Sequence, residues 1–371
     1  MPKLPLPIKI ACLLVGLVFG TIILIYAKEL LLPAIIAALL SLLLFPVYKR
    51  LIKWKVPNVL SVVITMLVVV VLIVVIAVIV SSQLKMLIAD ISSRSGTIDA
   101  KFATLQNYLS SHLNMDSATV GTYLAEGKEK LIGIGGNLAS GAISTTTSFM
   151  GNLLLIIIYI FCFLLYNNSF RTFAFALLRT EKHEEATSLI SHVQKLVQNY
   201  LVGLFTVILI IGTLNSIGLL IIGIPHAIFF AFFAGMLTVI PYIGISIGAS
   251  LPVVYCLLTK DSLLPAVGVV AIMISVQFFE SNFITPRIVG SKVSINPFVA
   301  IVVLLIGSEL WGIPGMALSI PLTAILKLLL DSRPQTKPIG YFLGSELTDD
   351  KNDPAKFFAK VEQAEENTKQ K

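Results

Sequence analysis

Between residues 272 and 321 a strongly apolar stretch carries Gln277, Glu280, Asn282, Arg287, Lys292, Asn296 and Glu309. In a bilayer such groups are expensive, and there they mark a pathway or a binding site. With 275–285 on a helix, Gln277, Glu280 and Ser281 fall within about 100° of one another, and Thr285 extends the stripe. Val276, Phe279 and Phe283 occupy the other side. One face is therefore polar, and the opposite face can meet lipid or protein. A carboxylate in low-dielectric surroundings can take up and release a proton, which makes Glu280 a candidate coupling group. The competing reading places Glu280 near the interface, paired with Arg287 two turns on. Glu309 stands between Gly307 and Gly312. It reads either as a site carboxylate at a helix break or as a buried acid satisfied by backbone amides. Asn296-Pro297 has the form of a helix start, with Asn296 as cap. Trp311 reads equally as an interfacial anchor or as cavity lining.

Composition places this stretch in a membrane. Of 371 residues, 56% are hydrophobic and 13% charged, and mean hydropathy is +0.93. Soluble domains carry about 25% charged residues. Residues 59–80 hold no charge and meet the roughly 20 residues a spanning helix needs. The net charge of +7 fits basic cytoplasmic loops, and no basic cluster interleaved with exposed aromatics suggests nucleic acid. Cys12, Cys162 and Cys256 sit in apolar runs and read as small hydrophobes, without disulfide or metal roles. The N-terminal run from Ile8 to Ala27 reads as an uncleaved first span.

Read in order, 1–80 supplies N-terminal transmembrane helices, with a short turn at Lys28 and Glu29. The YKRLIKWK cluster at 48–55 places that end, and the N-terminus, in the cytoplasm. Residues 81–148 are polar and balanced in charge, with helical spacing, and read as an extracytoplasmic amphipathic segment. Residues 149–199 form a span plus a cytoplasmic helix, 200–331 a transport core with broken helices, and 332–371 a cytoplasmic tail, including Phe357 and Phe358. In the core, 226–258 contains PYIGISIGASLP and 297–330 contains GSELWGIPG. Proline breaks the backbone ladder, and glycine permits reversal, so Pro241, Gly244, Gly248, Gly307, Gly312, Pro314 and Gly315 are assigned to turns. Each segment is either one bent crossing or a re-entrant hairpin. The hairpin form keeps Arg287 and Lys292 inside and only Lys260, beside Asp261, outside, which the distribution of positive charge favours. Interrupted segments flanking a span are also the sign of a transporter built on broken helices. The expected fold is all-α and polytopic, with about six to eight spans and two broken or re-entrant helical hairpins in the C-terminal half.

At FFESNFITPRIVGSKVSINPFVAI (278–301), GSELWGIPGMALSIPLTAILK (307–327) and PYIGISIG (241–248), the chain resembles the autoinducer-2 exporter family of bacterial inner-membrane transporters. The layout of three N-terminal spans, a polar segment and an apolar C-terminal half is also similar. The resemblance implies export of small molecules. Members are described as exporters of the quorum-sensing furanone autoinducer-2, and some relatives as sodium or lithium/proton antiporters. It further implies a homo-oligomer, with a pentamer as one form. Hydroxyls and amides at 277, 281, 282 and 285 suit hydrogen bonds to a polyhydroxylated furanone.

Two other chemistries are set aside. Gly244-Ile-Ser246-Ile-Gly248 fits the hydrolase elbow, but no histidine follows, the nearby one is His226, and the strand-to-helix context is missing. His183 and His192 are nine apart and share no helix face, unlike metal-ligand pairs. Together with the charge distribution, the resemblance implies a multi-pass bacterial inner-membrane exporter of a small polar solute, with both termini cytoplasmic and lipid as its surroundings. It needs no cofactor, metal or catalytic residue. Antiport of sodium or lithium for protons is the alternative, and a non-transporting membrane scaffold a third reading.

Overall fold

The computed structural model describes residues 5–112, 121–122, 125–127, 153–178, 183–240, 243–260, 262–290, 295–333 and 335–344. Pro241, Lys292, the stretch 133–148, Phe357 and Phe358 lie outside these. Among the described residues the named elements are all helical: α1 (Leu6–Tyr26), α2 (Lys28–Lys53), α3 (Asn58–Ser93), α4 (Ser95–His112), α5 (Leu153–Leu165), α6 (Asn167–Leu178), α7 (His183–Ile222), α8 (Ala227–Leu237), α9 (Ile243–Thr259), α10 (Leu264–Phe279), a π-helical turn (Glu280–Ile284), α11 (Thr285–Ile288), α12 (Pro297–Asp331) and α13 (Lys337–Leu343). Five helices are long and apolar enough to cross a membrane, or six when α5 and α6, bent by 73°, are taken as one span. The fold is therefore polytopic and all-α. The chain divides into two compact units, one of residues 1–66, 152–205 and 285–371, the other of 67–151 and 206–284. The stretch 200–331 contributes to both.

In the first unit, α1 passes into α2 through Ala27 alone. Its amide bonds the Ile23 carbonyl at 2.8 Å and its carbonyl accepts from Leu31 at 2.9 Å, so the ladder barely breaks. Lys28 and Glu29, expected in the turn, are the first residues of α2 instead. Leu39, Val197 and Leu318 form a small core between α2, α7 and α12. The amide of Gln198 donates to the Leu42 carbonyl at 2.8 Å.

By length α12 would pass for one crossing, but its backbone reverses. Asn296 caps it by accepting the Phe298 amide at 3.0 Å, and Pro297 opens the first turn. Gly312 adopts φ 64° and ψ −142°, which glycine enters without steric penalty. Gly307 and Gly315 then lie back to back. A Cβ on Gly315 would stand 2.0 Å from the Gly307 carbonyl oxygen. Along an unbroken helix, residues eight apart would be separated by about 12 Å. The two ends also meet one helix. The Asn296 amide donates to the Leu343 carbonyl at 2.9 Å, and Gly340 packs on Asp331. So α13, from the segment expected to be tail, clasps both legs of a hairpin. Near the tip, the Trp311 indole donates to the Leu24 carbonyl at 2.9 Å, which uses its polar edge on α1.

In the second unit, α3 continues past residue 80 to Ser93. No proline or glycine lies between 58 and 93, so nothing stops the helix where a bilayer would end. Helices α8 and α9 form another hairpin. A Cβ on Gly244 would lie 1.8 Å from the Leu237 carbonyl oxygen, and one on Gly248 2.8 Å from Ala234 Cα. Phe230, Tyr255, Cys256, Leu219 and Val269 make the core around it. Close approach of this kind is the main source of helix association in lipid, where hydrophobic burial contributes little. The open end of the hairpin is held by the residues that follow the third span. Tyr255 donates to Asp90, Lys101 donates to the carbonyls of Leu257 and Lys260, and Lys260 reaches the Gly223 carbonyl at 3.0 Å.

Candidate functional site

The polar stripe expected around residue 280 lies where α10 gives way to the π turn. Such a turn takes in an extra residue, so its amides skip the usual carbonyl partner and a local oxygen is left over. Within it, Asn282 donates its side-chain amide to the Phe278 carbonyl at 2.8 Å. The Gln277 amide donates to the Glu280 carboxylate and to Ser281 Oγ, the latter at 3.0 Å. Ser281 Oγ also lies 3.0 Å from Glu280 Oε2. Gln277, Glu280 and Ser281 are thus one hydrogen-bonded cluster. Their spacing of three and four residues brings them together, since Glu280 and Ser281 both lie over the Gln277 turn.

Gln277, Ser281 and Asn282 line a groove of about 350 Å³ between α9 and α10. Its walls are otherwise apolar, among them Val253, Met273 and Phe278. Glu280 is not on that wall. It is joined to the groove through the two side chains that hold its carboxylate. An apolar groove with a few convergent polar groups is the usual form of a small-ligand site. Thr285 starts α11 and belongs to the first unit, as does Glu309, which is exposed on the first leg of the α12 hairpin. Ser246, the serine of the elbow-like motif, is exposed on the first turns of α9.

One polar residue escaped the sequence reading. Asn215 is 4% exposed in the last third of α7, and its Oδ1 has no partner among the described residues. It sits between Gly212, which packs on Phe232, and Gly218, which packs on Ile272. These glycines bring α8 and α10 close on either side of it. The available signal was an amide within an apolar run of spanning length, the same kind of signal that singled out residues 277–282.

Spanning helices and two reversing hairpins define a multi-pass membrane protein. The chain belongs to the AI-2E family of transporters, whose family model matches residues 13–334. It is similar to the candidate transport protein YueF of Bacillus subtilis, 25% identical over 82% of this chain and 84% of that one. A candidate transport protein of Haemophilus influenzae is 22% identical over 86% of this chain and 91% of its own length. YrrI of Bacillus subtilis, another candidate transport protein, is 36% identical, but the match spans 36% of this chain and only 37% of the relative.

Proposed function

We propose that the protein exports a small polar solute from bacteria, of the autoinducer-2 class, along a route that includes Gln277, Glu280, Ser281 and Asn282. The cluster at the π turn carries this reading. It concentrates a carboxylate, an amide and a hydroxyl within one helical turn of an apolar helix, beside a groove of small-ligand size. Turns of this kind are frequent at functional sites. Thr285 and Glu309, also expected on the route, lie in the first unit, and the proposal rests on the cluster at the π turn alone. Glycine contacts keep both hairpins tight, so each can move as a body. In this reading a proton on Glu280 couples solute exit to the proton gradient. In this reading both termini are cytoplasmic, and the basic residues at the end of α2 support that for the N-terminus. The working form is a homo-oligomer.

A second reading, sodium/proton antiport, draws on the same atoms, since ion sites need several oxygens around a carboxylate and Ser281 Oγ supplies one 3.0 Å from Glu280 Oε2. Vesicles containing the purified chain separate the two. Export predicts proton-gradient-driven movement of a labelled polyhydroxylated furanone, with no proton release on adding sodium. Sodium-induced proton release without furanone movement would replace export with antiport. Neither response would remove transport by this route.

A further inference from the structure

We propose that a second site, the groove bounded by α2, the α5–α6 bend and α7, binds an anionic phospholipid. It lies within the first unit and is separate from the polar cluster on α10. Its volume is about 240 Å³. Leu42, Phe45, Phe163, Leu164, Phe170 and Ile190 make its walls, a surface suited to an acyl chain and hostile to a polar solute. Polar groups enter it from α6 and α7: Arg171, Asn167 and Gln194. Arg171 forms no ion pair among the described residues, so its charge is open to an anion.

The bend supplies an independent argument. After Tyr166, α6 departs from α5 by 73°, so a chain leaving the bilayer along α5 would run near the membrane plane along α6. Phe173 on α6 is 64% exposed and Phe170 46% exposed, as befits a helix seated among headgroups. Arg171 is then at headgroup depth, with the apolar walls extending towards the hydrocarbon. A second cation stands at the rim, since Lys49 Nζ lies 4.7 Å from the centre of the Phe45 ring. Arg50 and Lys53 follow on the same helix end. Basic pockets between spanning helices are the usual seats of anionic headgroups. The geometry assigns the phosphate to Arg171, with Asn167 and Gln194 as further hydrogen-bond partners, and part of one acyl chain to the groove beneath. A lipid there ties the bend to α2 and α7.

Native mass spectrometry of the intact full-length protein, titrated with phosphatidylglycerol or phosphatidylcholine of matched chains, tests this. The wild type is expected to retain phosphatidylglycerol preferentially. Arg171→Gln should weaken that retention about fivefold, the effect of one basic residue at an anionic surface. Arg171→Lys should restore most of it. Ala174→Phe, which fills the groove, should lower retention of both lipids. Equal retention of the two lipids by the wild type would overturn the proposal without any variant. So would unchanged retention in a folded Arg171→Gln protein, or displacement of the lipid by soluble glycerol phosphate at equal concentration, which would mark a simple anion site. None of these outcomes depends on what the protein exports.

Discussion

Valine at position 307 is expected to abolish transport and to lower the thermal midpoint of the purified protein by several degrees. A Cβ on Gly307 would lie 2.0 Å from Ser319 Oγ and 2.6 Å from the Gly315 carbonyl oxygen. Ser319 is buried and donates its hydroxyl to that same carbonyl at 2.8 Å, so moving it aside breaks that bond. Gly315 is held in turn, since its own Cβ position is filled by Gly307. Relief must come from parting the two legs, and with them the contacts at the tip. Overpacking costs about 1–3 kcal/mol where side chains can adjust, and backbone against backbone belongs at the upper end or above. Gly312→Ala makes a useful comparison. Nothing lies within 4 Å of its Cβ, so its cost is backbone strain alone, at a φ of 64° and ψ of −142° that side-chain-bearing residues avoid, about 1–3 kcal/mol. A Gly307→Val protein as stable and active as wild type, judged by fluorescence-monitored melting and vesicle efflux, would mean the legs do not pack this way.

Glu280→Gln is expected to reduce efflux at least tenfold while leaving expression and melting close to wild type. Glutamine keeps the length and shape of the side chain, and its carbonyl can still accept from Gln277 and Ser281. It loses the charge and the capacity to exchange a proton. If Glu280 carries the coupling proton, the residual efflux should no longer respond to an imposed proton gradient, whereas a purely structural acid would leave that response intact and change only stability. Wild-type efflux in a folded Glu280→Gln protein would remove this carboxylate from the mechanism and leave Gln277, Ser281 and Asn282 as the remaining contacts.

The sequence makes the broken segments legible because reversal needs residues with unusual backbones. Glycine and proline cluster at 307–315 and at 241–248, where among the described residues Gly312 takes the unusual backbone and Gly244, Gly248, Gly307 and Gly315 allow close approach, and Asn296-Pro297 announces a helix start in its own side-chain chemistry. The polar stripe of α10 was legible for the complementary reason, since amides and acids stand out against leucine and valine. The π turn was not, because no residue type demands one extra backbone position. Bilayer thickness sets the expected span end near residue 80, while the helix itself runs on to Ser93 because no helix-breaking residue stands between. Helix α6 was missed since its apolar residues are too few to resemble a span, and only the bend after Tyr166 shows how they are used. The bond from Tyr255 to Asp90 joins residues 165 apart in sequence, a distance over which periodicity carries no information.

The most direct test asks whether the polar face at the π turn meets water. A full-length protein with Cys12, Cys162 and Cys256 replaced by alanine, carrying Ser281→Cys, would be treated in sealed vesicles with a membrane-impermeant maleimide. Phe279→Cys, about 160° away around the helix, serves as the control. The account predicts labelling at 281 that transported solute slows, and little labelling at 279. Equal protection of both positions, with or without solute, would contradict it.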